Sequence, residues 1–303
     1  MKEYLQLEGL VYKLVPIRTP QNTENPYIMG RLDADLMYDI VMNWSWGNSQ
    51  SPDIYHDVET RKNSISFRSN MARLAEKLIE EDKNEKAKNI LDLAMEKMPI
   101  DYFGYYSLLV PFVDTYYRLG AVQSARQLAE KVALKYSDEL EYFGSLTPNE
   151  QFMMGEEIIT QIERYRTLME AILIHEDREL LKSELDHFTS SIQPFKNLYG
   201  DYDYYTSLTD FVEGYYLSGQ KEKAEELVES IVVQYEERFG MIAKFSKSNQ
   251  KMFFDRIKGE VLDFQELVYR VELMGRGDFA ERLQKRFDQS MEQFELEEET
   301  SKD

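Results

Sequence analysis

The sequence predicts an all-α protein of stacked helix pairs, preceded by a short irregular N-terminal segment. Three observations carry that prediction. From about residue 57 onward, apolar residues recur at helical rather than strand period. A nine-residue phrase occurs twice, FVDTYYRLG at 112–120 and FVEGYYLSG at 211–219, with five positions identical. Alanines at 87, 125, 224 and 280 each follow a polar or glycine-bearing turn and open a second helical pattern. Internal self-similarity of this kind marks a repeat architecture, in which no unit buries its apolar face alone.

Residues 1–56 form a segment of their own. LVYKLVPI is rich in β-branched and aromatic residues and predicts a short strand at 9–17. Pro16, Pro20 and Pro26, with Asn22 and Asn25, predict an irregular connection. Asp33 can cap a short helix at 33–43, and NWSWGNSQSPDIYHD at 43–57 predicts a loop. Residues 57–295 are the predicted repeat domain, and 296–303 an acidic tail that frays.

Within 57–295 the pattern is that of tetratricopeptide units. Their first helix runs large-x2-Leu-small-x2-aromatic, and their second Ala-x3-large, with Pro often closing the unit. Met71, Leu74, Ala75 and Leu78, then Ala87, Leu91, Ala94 and Pro99, fit one unit. Leu109, Phe112, Val113 and Tyr116, then Gly120, Ala125, Ala129 and Val132, fit a second. Leu208, Phe211, Val212 and Tyr215, then Gly219, Ala224, Val228 and Ile231, repeat it. A weaker copy holds Phe264, Leu267, Val268, Val271, Gly275, Ala280 and Phe287, and Gln284 interrupts it. Helices at about 150–174 and 177–198 have the lengths of a unit without its residues. Valine at the small position, 113 and 212, predicts pairs that stand slightly apart. The irregular spacing predicts longer helices and loops than the ideal repeat. A generic α bundle sharing the motif by chance is the alternative.

Prolines locate two boundaries. Thr147 and Glu150 have capping-box spacing around Pro148 at a helix start. Pro111 lies inside a helical pattern, so it kinks that helix or marks a late start.

Composition narrows the function. The chain has 36 basic and 56 acidic residues, a net charge of −20, which repels phosphate backbones and anionic membranes. Nucleic acid is therefore not an expected partner. Zero cysteines remove disulfides, thiolate nucleophiles and thiolate metal ligands together. No stretch reaches the roughly 18–20 apolar residues of a membrane span, and MKEYLQLEGLVYKLVPI lacks a signal peptide's apolar region. A soluble chain is expected, which something else must deliver if it works outside the cytoplasm.

Catalytic and metal sites are not expected, nor any cofactor. His56, His175 and His187 lack metal-ligand spacing, although His175 and His187 could face one another across a turn. The acidic runs at 76–86 and 222–230 carry interleaved lysines, as solvated helix faces do. RGD at 276–278 suits a turn between helices. The best binding candidates are Asp114, Tyr117 and Arg118, with Glu213 and Tyr216 in the second phrase. These fall at first-helix positions that face the concave groove of tetratricopeptide arrays. A tyrosine–carboxylate surface there can hold a peptide or a sugar.

The segments YLQLEGLVYKLVPI (4–17), GRLDADLMYDIVMNWSWGN (30–48), DIYHDVETRKNSISFRSNMARLAEKLIEEDKNEKA (53–87) and VDTYYRLGA (113–121) resemble a family. It is the C-terminal soluble helical-repeat region of Bacteroidetes multi-pass membrane proteins, of unknown function and similar to protein O-mannosyltransferases. The resemblance covers most of 1–140. It implies a membrane-embedded parent that carries any glycosyltransferase chemistry, with this region on the periplasmic side. The expected role is a non-catalytic module recognising a protein, a peptide or a glycan acceptor. The alternative is a free-standing cytoplasmic scaffold, and a soluble hydrolase would require two carboxylates converging in a cleft.

Overall fold

The computed structural model describes residues 2–19, 29–245 and 254–292. The predicted connection at Pro20–Pro26 and the acidic tail lie outside them. The described residues are predominantly helical, with one small sheet, and form two compact units, Met1–Tyr136 and Ser137–Asp303. The boundary falls inside one continuous helix of the predicted 57–295 array.

In unit 1, the strand predicted at 9–17 is the second strand of a hairpin, at Val11–Leu14, and its partner at Leu5–Glu8 lies upstream of the predicted range. Strands β1 (Leu5–Glu8) and β2 (Val11–Leu14) pair antiparallel, Leu5 opposite Leu14, and β3 (Arg31–Leu32) pairs parallel to β1. The chain turns at Gly9, whose φ of +65° is the conformation that type II′ hairpins place on glycine. A Cβ there would stand 3.1 Å from both Ile40 and Trp44. Helix α1 (Ala34–Met42) is capped by Asp33, whose side chain accepts from the Leu36 N–H at 3.1 Å. Asp57 likewise caps α2 (Val58–Glu80), accepting from Thr60 N–H at 2.8 Å, and this bond lowers its pKa. Helix α3 (Asn84–Lys97) packs on α2, and α5 (Val110–Arg118) packs on both. Between them lies one turn, α4 (Ile100–Phe103), then a 3₁₀ turn at Tyr106–Leu109. Pro111 therefore marks a late start, in the first turn of α5.

Helix α6 (Val122–Gly144) carries the chain out of unit 1. Unit 2 continues with α7 (Pro148–Met153), where Thr147 and Glu150 complete the predicted capping box. Helices α8 (Gly155–Ile174) and α9 (Arg178–Ile192) pack together, and two single turns follow, α10 (Lys196–Tyr199) and α11 (Asp201–Thr206). Helix α12 (Phe211–Leu217) packs on α9 and on α13 (Lys221–Ala243). Helices α14 (Phe254–Leu273) and α15 (Gly277–Glu292) pack on one another and on α13.

Apart from Gln284, every residue that the repeat pattern assigns to a core position is buried. Met71, Leu74, Ala75, Leu78, Ala87, Leu91 and Ala94 are fully so, as are Phe112, Val113, Phe211, Ala224 and Phe264. Each large apolar side chain so buried stabilises by about 1.5–3 kcal/mol. Gln284 is exposed, and Leu283 beside it fills the core instead.

The helix–turn–helix junctions repeat hydrogen bond for hydrogen bond. At each, one residue with positive φ follows the first helix: Asp82, Gly120, Glu176, Gly219 and Gly275, with φ of 57°, 70°, 49°, 81° and 76°. Its N–H, and the N–H of the next residue, bond back to carbonyls of the last turn. Gly120 bonds to Tyr117 and Ala121 to Tyr116; Gly219 bonds to Tyr216 and Gln220 to Tyr215. This is the Schellman closure, which satisfies carbonyls the helix leaves open. Five residues on, Ala87, Ala125, Leu181, Ala224 and Ala280 are buried and begin the next helix with an N–H bond four residues back. The helix pair α8–α9, which lacks the repeat's residues, keeps this junction at Glu176.

Candidate functional site

The echoed phrase tethers one helix to the one before it. In unit 1, Tyr116 Oη donates to Asp92 Oδ1 of α3 at 2.8 Å, and Lys88 holds the other oxygen at 2.6 Å. Burial, reinforced by the Asp92 bond, pushes the Tyr116 hydroxyl's pKa up. In unit 2, Tyr215 Oη lies 3.5 Å from Asp186 Oδ1 of α9 and 3.2 Å from Thr189 Oγ1. Lys223 of α13 pairs with the same Asp186. Both tyrosines are buried, at 3% and 5% exposure.

The candidate binding residues separate. Asp114 and Arg118 form an ion pair across one turn of α5, 3.7 Å apart, and Arg118 is exposed. Tyr117, between them in sequence, is buried at 8% exposure and is mainly a core residue. A one-residue step around a helix turns the side chain through about 100°, which takes it from groove to core. Glu213 is exposed. Tyr216 is half-buried, its Oη enclosed with no hydrogen-bond partner, and burial raises its pKa. Beside it Arg276, the arginine of the RGD triplet, pairs with Glu225.

Clefts lined in part by polar groups open in both units. In unit 1, a cleft of about 750 Å³ lies between β3 and α2, lined by Arg31, Asp33, Arg73, Glu76 and Lys77 among others. Burial raises the pKa of Glu76, and Arg118 opposes that shift. In unit 2, a cleft of about 450 Å³ runs between α9 and α13. Tyr204, Tyr205 and Tyr215 line it with the hydroxyls of Thr189, Ser190 and Ser230. Lys196 stands over the Tyr205 ring, 4.6 Å from its centroid, and pairs with Asp201 at 3.2 Å. Neither Glu213 nor Tyr216 lines this cleft; the phrase contributes Tyr215. Asp186 and Lys196 are not singled out by the sequence, because they lie on α9 and α10, where the repeat's signature residues are missing.

The histidines have local roles. His56 shares a 3.0 Å hydrogen bond with the Ser49 carbonyl, and His187 Nδ1 lies 3.6 Å from Glu184. Among the described residues, no group of three or more His, Asp or Glu stands where it could hold a metal ion. No helix among them is long and apolar enough to cross a membrane.

The chain finds no match among family models, curated proteins or solved structures.

Proposed function

We propose that this chain is a non-catalytic recognition module, a tetratricopeptide-like array whose unit 2 cleft holds a segment of a partner polypeptide or glycan acceptor. One observation carries the reading: the half-exposed Tyr205 and a row of hydroxyls share a cleft whose lysines are neutralised by neighbouring carboxylates. Aromatic faces with satisfied charges suit reversible stacking and hydrogen bonding. The five congruent junctions support the repeat reading. The resemblance of residues 1–140 adds a context: a membrane-bound, glycosyltransferase-like parent with this module on its periplasmic side. A free-standing cytoplasmic scaffold is the second reading.

Peptide and glycan arrays probed with the intact chain test this function. Binding that Tyr205→Ala and Lys196→Ala each weaken by about tenfold supports it. No binding on either array, or binding indifferent to both variants, overturns it. The DNA upstream of the Met1 codon separates the two readings, since a reading frame continuing into hydrophobic spans excludes the scaffold.

A further inference from the structure

The N-terminal segment builds a second cavity, wholly within unit 1 and separate from both polar clefts. It measures about 370 Å³, inside the range of small-molecule sites. The loop 43–57 and α2 form its walls. Trp44, Trp46 and Phe67 meet there, with ring centroids 5.0 to 5.6 Å apart. Trp44 and Trp46 are the only two tryptophans of the chain, and both are half-buried. Trp44 is wedged against the hairpin turn at Gly9, which fixes its ring.

The loop that carries these rings is held in place. The His56 backbone N–H donates to Tyr102 Oη at 3.1 Å, and the His56 ring bonds to the Ser49 carbonyl at 3.0 Å. Ser49 Oγ in turn donates to the Lys97 carbonyl at 3.0 Å. The His56 ring also packs on Tyr102 and Phe103, 5.1 Å from each centroid. A site tied this way loses little freedom when a ligand enters.

The chemistry of the lining selects the ligand. In a chain of 30% charged residues, none of the described residues lining this cavity is Asp, Glu, Lys or Arg. Around the rings stand the apolar Leu10, Met98 and Phe103, with the exposed Ser45, Thr60 and Asn63 as short neutral polar groups. A cationic ligand would want carboxylates here, and an anionic one would want Lys or Arg. An apolar ligand would leave the hydroxyl and amide rim unused. A pyranose satisfies both parts, with an apolar C–H face to lie on a ring and hydroxyls at its edge.

We propose that the cavity bounded by Trp44, Trp46 and Phe67 is a binding site for a neutral saccharide, one hexose unit at a time. The sugar's C–H face lies on Trp46, and Asn63 takes its edge hydroxyls. The site does not depend on the unit 2 cleft, so either can fail alone.

Because both tryptophans line the cavity, the fluorescence of the intact chain reports on it directly. The probes are methyl glycosides of glucose, galactose, mannose and N-acetylglucosamine and their trisaccharides, with decaproline as the polypeptide control. A saturable spectral shift with at least one saccharide and none with decaproline supports the site. Asn63→Ala leaves the rings in place and should weaken that saccharide by about threefold. Trp46→Ala should weaken it about tenfold or more, by calorimetry, with the circular dichroism of the parent retained. No saturation by any saccharide up to about 50 mM overturns the proposal. So does a response to decaproline alone, which would assign the rings to a polypeptide.

Discussion

The two copies of the echoed phrase, one on α5 and one on α12, keep some positions and change others. Both keep the two core residues, Phe112–Val113 and Phe211–Val212, the tyrosine tether, and the glycine closure. They differ at the fourth position. Thr115 is buried and returns its hydroxyl to the Pro111 carbonyl at 2.6 Å. Gly214 is also buried, but a Cβ there would stand 3.2 Å from Leu185. What is kept is what the helix needs for itself and for its predecessor. What varies is set by the neighbour across the interface.

The units also differ in how they tie the connection between helix pairs. Unit 1 uses Arg68, which is fully buried and donates to the Met98 carbonyl at 2.7 Å and to Gly104. Burial holds its pKa down at about 10, so it is still charged at neutral pH. Unit 2 uses a buried phenylalanine, Phe195.

These differences order the expected effects. Arg68→Met should be the most severe, costing about 2–4 kcal/mol, because the buried Met98 carbonyl and the half-buried Gly104 carbonyl lose their donor. Denaturant unfolding measures it, and a change under 1 kcal/mol would show that unit 1 does not rely on the tie. Importing the unit 1 residue as Gly214→Thr should cost about 1–3 kcal/mol by overpacking against Leu185. If it is neutral, the fourth position is not set by the neighbour.

The junctions come next. Gly120→Ala and Gly219→Ala should each lose about 1 kcal/mol, whereas Asp82→Gly and Glu176→Gly should gain about 0.5–1 kcal/mol in thermal unfolding. Equal signs at all four would mean that the junctions are not equivalent. Tyr116→Phe should cost about 1 kcal/mol and Tyr215→Phe about half that, since the second tether is longer and shared with Thr189. The reverse order would show that the tether length does not decide its worth.

The smallest effect at neutral pH is tyrosine ionisation. Burial holds Tyr199 and Tyr204 of unit 2 up at about 12. Their folded pKa lies above the ordinary value of about 10. Their contribution is therefore intact below pH 10 and is lost as pH rises through 12. Phenolate absorbance should show a late fraction that becomes ordinary in denaturant.

Much of the helical core was legible because helix period and alanine position are local signals. Met71, Phe112 and Phe211 could be placed without a structure. The closures at Gly120 and Gly219 were legible because glycine advertises positive φ. Those at Asp82 and Glu176 were hidden, since nothing in these residues announces the same backbone. The hairpin's second strand was legible in LVYKLVPI, whereas its first, LQLE, is only four residues long and was missed. Of the candidate site, Asp114 and Arg118 stand as an ion pair with one another, and Tyr215 rather than Tyr216 lines the cleft. The tryptophan cavity fell within a predicted loop. Trp44 and Trp46, two apart in a chain with no other tryptophan, were the signal available.

One feature of the small sheet bears on handling the protein. Among the described residues, strand order β2–β1–β3 leaves β2 at the edge, with all four of its residues exposed, Val11 at 64% and Leu14 at 62%. An open edge of this kind offers its backbone to any passing extended segment. Lys13 sits in its middle, and Pro16 follows two residues after its end. A charge and a proline are what discourage sheet extension from molecule to molecule. Lys13 and Pro16 therefore stand where a strand from another molecule would have to add.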